Sequence, residues 1–112
     1  MILNEIITTK HREVATAKER LPLQVLEGRV KGYRAQRPFG KALVQPGHLS
    51  LIAELKRKSP SRGMLRERFD PVSLAQQLEE AGASALSVLT DAPFFGGSLD
   101  FLRDVQQFTE LP

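Results

Sequence analysis

The spacing of apolar positions changes several times along this chain, and each change marks an element. Through residues 2–20, Leu3, Ile6 or Ile7, Val14 and Ala17 recur at the spacing of one helix face, and Leu21 follows in step. Pro22 suits the first turn of a second helix with Leu23, Leu26, Val30 and Tyr33 along one side. Gly32 and then Arg37-Pro38-Phe39-Gly40 close it. The pattern lapses over residues 34–48, which read as irregular connection ending in a Pro46-Gly47 turn.

Residues 49–55 then form a nearly continuous apolar run, the pattern of a strand covered on both faces. It gives way to a basic loop. Asp70 is an N-cap candidate, and Pro71 fits the first position of a helix that carries Leu74, Ala75, Leu78 and Ala81 on a buried stripe and stops at Gly82. Residues 85–89 repeat the buried-strand pattern. After a loop, Ser98 can cap a third core helix through Leu99, Leu102, Val105 and Gln106. The order is two helices and then β-α-β-α, which predicts an α/β fold with a parallel sheet. Another strand falls due at Leu111-Pro112. Residues 1–47 are expected to form a helical cap or arm.

Composition narrows the classes. At 112 residues, 41% hydrophobic and 26% charged, the chain has the make-up of one ordinary globular domain. Without cysteine it has neither disulfides nor a thiolate metal site. No apolar run approaches the ~20 residues of a bilayer span. The start lacks the basic-then-apolar order of a signal peptide, and the lack of cysteine makes cytoplasm the expected location. The net charge of +3 is densest at Lys56, Arg57, Lys58 and Arg62. With no aromatic platform interleaved, this patch reads as a solvated or anion-binding loop rather than a nucleic-acid surface.

The candidate chemistry gathers where the first strand ends. Residues i and i+2 of a strand share a face, so Glu54 and Lys56 project together above Ile52, while Leu51, Ala53 and Leu55 point the other way. In parallel α/β folds ligands bind at that end of the sheet. Two readings of the pair stand side by side: an anion-holding lysine oriented by an acid, or a structural ion pair at the sheet mouth. Ser59-Pro60-Ser61 is a pocket-lining loop, an ordinary turn or a modification site in basic context. Phe94-Phe95-Gly96-Gly97-Ser98 offers backbone N–H groups at a helix start, with a phenylalanine to cover an aromatic ring. Taken alone, the favoured reading is a capped helix with one phenylalanine in the core. His11 and His48 have no neighbours at metal-ligand spacing and read as surface residues.

Five segments in this order carry a resemblance. They are Ile52-Ala53-Glu54-Leu55-Lys56-Arg57-Lys58-Ser59-Pro60-Ser61, then Phe69-Asp70-Pro71, then Glu80-Ala81-Gly82-Ala83, then Leu86-Ser87-Val88-Leu89-Thr90-Asp91, and Phe95-Gly96-Gly97-Ser98-Leu99. With the first helix and Leu21-Pro22-Leu23, they resemble the indole-3-glycerol-phosphate synthase family from one end of the chain to the other. The resemblance implies a (β/α)8 TIM barrel preceded by a helical extension. Residues 1–47 would be the extension and 48–112 the first two βα units. It implies a lyase of tryptophan biosynthesis that closes the indole ring of 1-(2-carboxyphenylamino)-1-deoxyribulose 5-phosphate with loss of carbon dioxide and water. No metal or organic cofactor is implied.

On the resemblance, Lys56 would contact the substrate carboxylate, Glu54 would position this lysine and the substrate, Ser59 and Pro60 would line the pocket, and Phe95 would pack on the anthranilate ring. The expected partner is a small anionic substrate bearing carboxylate and phosphate, with no nucleic acid and no membrane. The remainder of the barrel or a fused pathway enzyme is the other expected partner. A barrel of this kind needs ~200 residues or more. The family's general-acid lysine, general-base glutamate and phosphate loops match no position here, so the chain alone is expected to be inactive. A small non-catalytic α/β module for a phosphorylated metabolite is the alternative.

Overall fold

The computed structural model describes residues 1–33 and 37–112. The chain divides into two compact units, Met1–Ala35 and Gln36–Pro112. Residues 34–36 of the expected connection lie outside the described residues.

The first unit holds α1 (Ile2–Arg20) and α2 (Leu23–Val30). Glu5 in the first turn of α1 and Lys18 and Arg20 in its last turn complement the helix dipole. Both helices form, but α2 ends at Val30, so Tyr33 lies beyond it, and Pro22 is its N-cap rather than a residue of its first turn. Neither buries a residue: Leu3, Ile7, Val14, Leu23, Leu26, Val30 and Tyr33 all remain exposed. Helical spacing specifies the stripe, but burial needs a further layer to lie over it.

The second unit is built on a βαβ core. Strands β1 (Ile52–Leu55) and β4 (Ala85–Val88) pair in parallel with Ile52 opposite Ala85, Glu54 opposite Ser87 and Leu55 opposite Val88. The crossover is α4 (Pro71–Glu80), and α5 (Leu99–Phe108) follows β4. Leu55, Ala75 and Val105 form the buried cluster, with Phe69, Leu74, Leu78, Leu86 and Val88 packed against it. Phe69 and Phe101 meet at a tilt with ring centroids 5.5 Å apart, a favourable aromatic geometry.

The helix ends explain themselves. Asp70 accepts the Ser73 N–H at 3.1 Å, and Pro71 opens α4 where a missing N–H costs nothing. At the other end Gly82 takes φ +99°, donates to Glu79, and lets Ala83 donate back to Leu78, a Schellman stop. Ser98 caps α5 by accepting the Asp100 N–H at 3.1 Å. Two C-terminal carbonyls of α5 are met by Thr109 Oγ1, which donates to Val105, and by the Arg37 guanidinium, which donates to Gln106 and also to the Leu111 carbonyl beyond the helix.

Several expectations need correction. The first strand begins at Ile52, not residue 49; Leu49 is 97% exposed, and Ser50 turns back to donate to the Leu43 carbonyl. It is covered on one face, not two: Ala53 and Leu55 are 8% and 3% exposed under α4, whereas Ile52 on the opposite face is 47% exposed. No described layer lies over that second face. Residues 86–88 of β4 are half-buried for the same reason. Ala81 lies outside the buried stripe, exposed at the helix cap. Leu99 and Leu102 are exposed, and Val105 carries the burial of α5.

The expected connection contains a short helix, α3 (Phe39–Leu43), which lies beside β4. The basic loop after β1 is a small antiparallel hairpin, β2 (Lys58–Ser59) with β3 (Gly63–Met64). Beyond β4, the Leu86 N–H donates to the Pro112 carbonyl at 2.9 Å. Ala85 and Leu89 donate to Leu51 and Leu55 on the β1 side, so by strand alternation Pro112 lies along the opposite edge of β4. Among the described residues no helix is long and apolar enough to cross a membrane.

Candidate active site

Four elements meet at the carboxyl end of the parallel pair: the ends of β1 and β4, the β2–β3 hairpin and the loop before α5. Glu54 and Lys56 stand together on the open face of β1, with Lys56 Nζ 3.5 Å from Glu54 Oε1. Their side chains are 37% and 44% exposed for lysine and glutamate respectively. An ion pair this accessible contributes only ~0–1 kcal/mol to stability, because water screens it and two long side chains must be held. Stability alone therefore gives little reason for the pair. Glu54's second oxygen, Oε2, accepts a hydrogen bond from Ser87 Oγ at 3.1 Å. Register places Ser87 directly beside Glu54, so neighbouring strands supply the acid and its donor.

Ser59 is buried, and its hydroxyl organises the hairpin: it accepts the Arg62 N–H at 3.2 Å and lies 3.4 Å from Ser61 Oγ. Pro60 follows at the first position of the three-residue turn, which Gly63 closes with φ +67°. The N–H groups of Leu65 and Arg66 both reach the Arg57 carbonyl and anchor the hairpin base. Lys56, Arg57 and Lys58 are half-buried in a row of like charge, and Arg57 Nε is buried with no hydrogen-bond partner. Three successive cations at the end of the strand favour an anionic ligand.

The loop carrying Phe95 is fixed by Asp91. Asp91 Oδ2 accepts the N–H groups of Phe94 at 2.8 Å and Phe95 at 3.1 Å, while the Asp91 carbonyl accepts Gly97 N–H at 2.7 Å. Phe94 and Phe95 are both half-buried. Gly96, at φ +61°, packs on the hairpin: a side chain there would meet the Lys58 and Arg57 stems at 3.5–3.7 Å. This contact places the Phe95 loop beside the basic row. The start of α5 is capped internally by Ser98, and Asp100 adds a negative charge in its first turn. That favours the capped-helix reading of this segment over a phosphate site.

The structure thus gathers Glu54 and Lys56 directly, and brings the Ser59-Pro60 and Phe95 loops side by side through Gly96. Sequence reasoning missed the roles of Ser87 and Asp91, and read Gly97 as room for a ligand rather than as a close approach to the Leu89 backbone. Ser87 had one signal, as the single polar residue in the run Ala85-Leu86-Ser87-Val88-Leu89. His11 and His48 are exposed. Among the described residues no three His, Asp or Glu side chains gather as a metal cluster.

The family pattern of indole-3-glycerol phosphate synthase matches residues 3–112. The chain is 41% identical over 111 residues to the indole-3-glycerol phosphate synthase of Rhodopirellula baltica, covering 99% of this chain and 43% of that protein. It is 46% identical over 112 residues to the synthase of Rippkaea orientalis, covering 99% of this chain and 38% of that protein. With that of Campylobacter fetus the identity is 39% over 112 residues, covering 100% and 43% respectively. The chain spans about two fifths of the length of these curated relatives. On a match that runs through nearly every residue, the chain belongs to the indole-3-glycerol phosphate synthase family.

Proposed function

We propose that this chain supplies the carboxylate-handling part of a synthase site that closes the indole ring of 1-(2-carboxyphenylamino)-1-deoxyribulose 5-phosphate, a carbon–carbon lyase step that releases carbon dioxide and water. The observation that carries this reading is the Glu54–Lys56 pair, 3.5 Å apart on an uncovered strand face at the carboxyl end of a parallel sheet. Its low stabilising value leaves the lysine ammonium available to exchange partners. A substrate carboxylate arriving at Lys56 gains a counter-ion without an equal loss in the protein. Glu54, held by Ser87, keeps the ammonium aimed.

The reaction needs attack of the ring carbon on the ribulose carbonyl, loss of the carboxylate carbon as carbon dioxide, and loss of water. Lys56 binds the carboxylate and meets the charge that develops as ring closure begins. Phe95 covers the anthranilate ring, and Ser59 and Pro60 shape the wall beside it. The reading includes no metal or organic cofactor.

The fold reading goes with it. Residues 48–112 are the first two βα units of a (β/α)8 barrel, and residues 1–47 are its helical extension, whose final part packs with the sheet. The hydrogen bond from Leu86 to Pro112 supports this, because it lays a further segment along the free edge of β4. The remaining barrel strands, or a fused pathway enzyme, would cover the open face of β1. We infer that residues 1–112 assayed by themselves do not turn over substrate, because no position among them matches the family's general-acid lysine, general-base glutamate or phosphate loops. The substrate is a soluble anionic metabolite, and the reaction is cytoplasmic.

The test is to express the complete gene product and follow the indole chromophore on adding substrate. Turnover that Lys56→Met abolishes is the expected result. A complete product without turnover, or one in which Lys56→Met is as active as wild type, overturns the reading.

A further inference from the structure

The two oxygens of Glu54 are divided between two strands. Oε1 faces Lys56 Nζ at 3.5 Å, and Oε2 accepts from Ser87 Oγ at 3.1 Å. A glutamate has three rotatable side-chain bonds and, when half exposed, samples several rotamers. A hydroxyl on the adjacent strand removes most of that freedom, because register fixes Ser87 opposite Glu54. With one oxygen taken by a neutral donor, the other is left for the ammonium. A second cation in place of Ser87 would compete with Lys56 for the carboxylate; an alanine would leave it free to swing to solvent.

We propose that Ser87 is a positioning residue: through Glu54 it sets where the Lys56 ammonium stands. This rests on the synthase reading for what Lys56 meets there, and on the geometry alone for the relay itself. Ser87 touches no reacting atom in this scheme. The hydroxyl is required only as a donor, so threonine replaces it and alanine does not.

The test has two arms. In the first, the 112-residue chain is labelled with limiting acetic anhydride, and modification of Lys56 is followed by peptide mapping. Loss of an exposed ion pair changes the availability of its lysine by about two- to fivefold. Ser87→Ala and Glu54→Gln are each expected to raise Lys56 labelling by that factor, while Ser87→Thr labels as wild type. Lys10 and Lys18 serve as internal references. A Ser87→Ala chain whose Lys56 labels at the wild-type rate, while Glu54→Gln changes it, overturns the proposal.

In the second arm, the complete gene product is assayed for ring closure. Misplacing one charge-assisted contact is expected to lower kcat about tenfold in Ser87→Ala, with KM within about twofold and recovery in Ser87→Thr. A purely structural serine would leave kcat unmoved or fail to be rescued by threonine, and either result overturns the proposal. Absent turnover in the wild-type product, with the labelling effect intact, overturns the synthase reading and leaves the relay standing.

Discussion

Replacing Gly97 with alanine puts a methyl group where the backbone of β4's exit already lies. The added Cβ would run into the Leu89 carbonyl oxygen, and would sit 2.8 Å from the Leu89 carbonyl carbon and 2.9 Å from that of Thr90. Ordinary contact begins near 3.4 Å, so the chain must move by about 0.6 Å or more. These are backbone atoms, and no rotamer change relieves them. Overpacking of this kind costs about 1–3 kcal/mol, occasionally more. Movement also strains the 2.7 Å hydrogen bond from Gly97 N–H to Asp91, worth about 1 kcal/mol. The expected loss is about 2–4 kcal/mol. Gly96→Ala is the control: its Cβ would meet only side-chain carbons at 3.5 Å or beyond, and its cost is the left-handed backbone, about 1–2 kcal/mol. Urea unfolding followed by circular dichroism measures both; at ordinary slopes Gly97→Ala should lower the midpoint by about 1–2 M. A Gly97→Ala protein as stable as wild type, or more stable than Gly96→Ala, would refute the reasoning.

Three further outcomes follow from the same contacts. Leu55→Ala empties the centre of the buried cluster and should cost about 2–5 kcal/mol in the same urea experiment. Asp91→Ala removes the acceptor shared by the Phe94 and Phe95 N–H groups; about 1–3 kcal/mol is expected, with hydrogen-exchange protection lost first at those two amides. Lys56→Met should change the stability of this chain by less than about 1 kcal/mol, read by thermal melting, while the same change in the complete gene product abolishes the ring closure proposed for it, read by the indole assay.

Much of the βαβ core was legible because its signals are local. Asp70-Pro71 and Gly82 mark both ends of α4 by chemistry that acts within one turn, and the apolar run marks β1. The run did not reveal which faces would be covered, since Ile52 and Leu55 look alike in sequence and only the packed layers tell them apart. The short helix α3 contains Gly40 and follows Pro38, both reasons to expect coil; its place beside β4 is a tertiary effect. The hairpin strands are two residues each, too short for any alternation to show. At the site, Glu54 and Lys56 were visible because they are two apart on one strand. Ser87 is 33 residues from Glu54, and only register brings it there. Asp91 and Gly97 act on backbone atoms, which leave no pattern in side-chain polarity.

The packing of Gly96 on the Arg57 and Lys58 stems gives the two loops a common wall. Length changes are therefore not equivalent along the hairpin. Pro60, Ser61 and Arg62 at its tip are exposed, and extra residues there extend into solvent without pressing on anything described. An insertion at the base, between Arg57 and Lys58, would push the wall and carry the Phe95 loop with it. The hairpin tip is thus a place where loop lengths can be exchanged between relatives independently, whereas its base can be exchanged only together with residues 91–97.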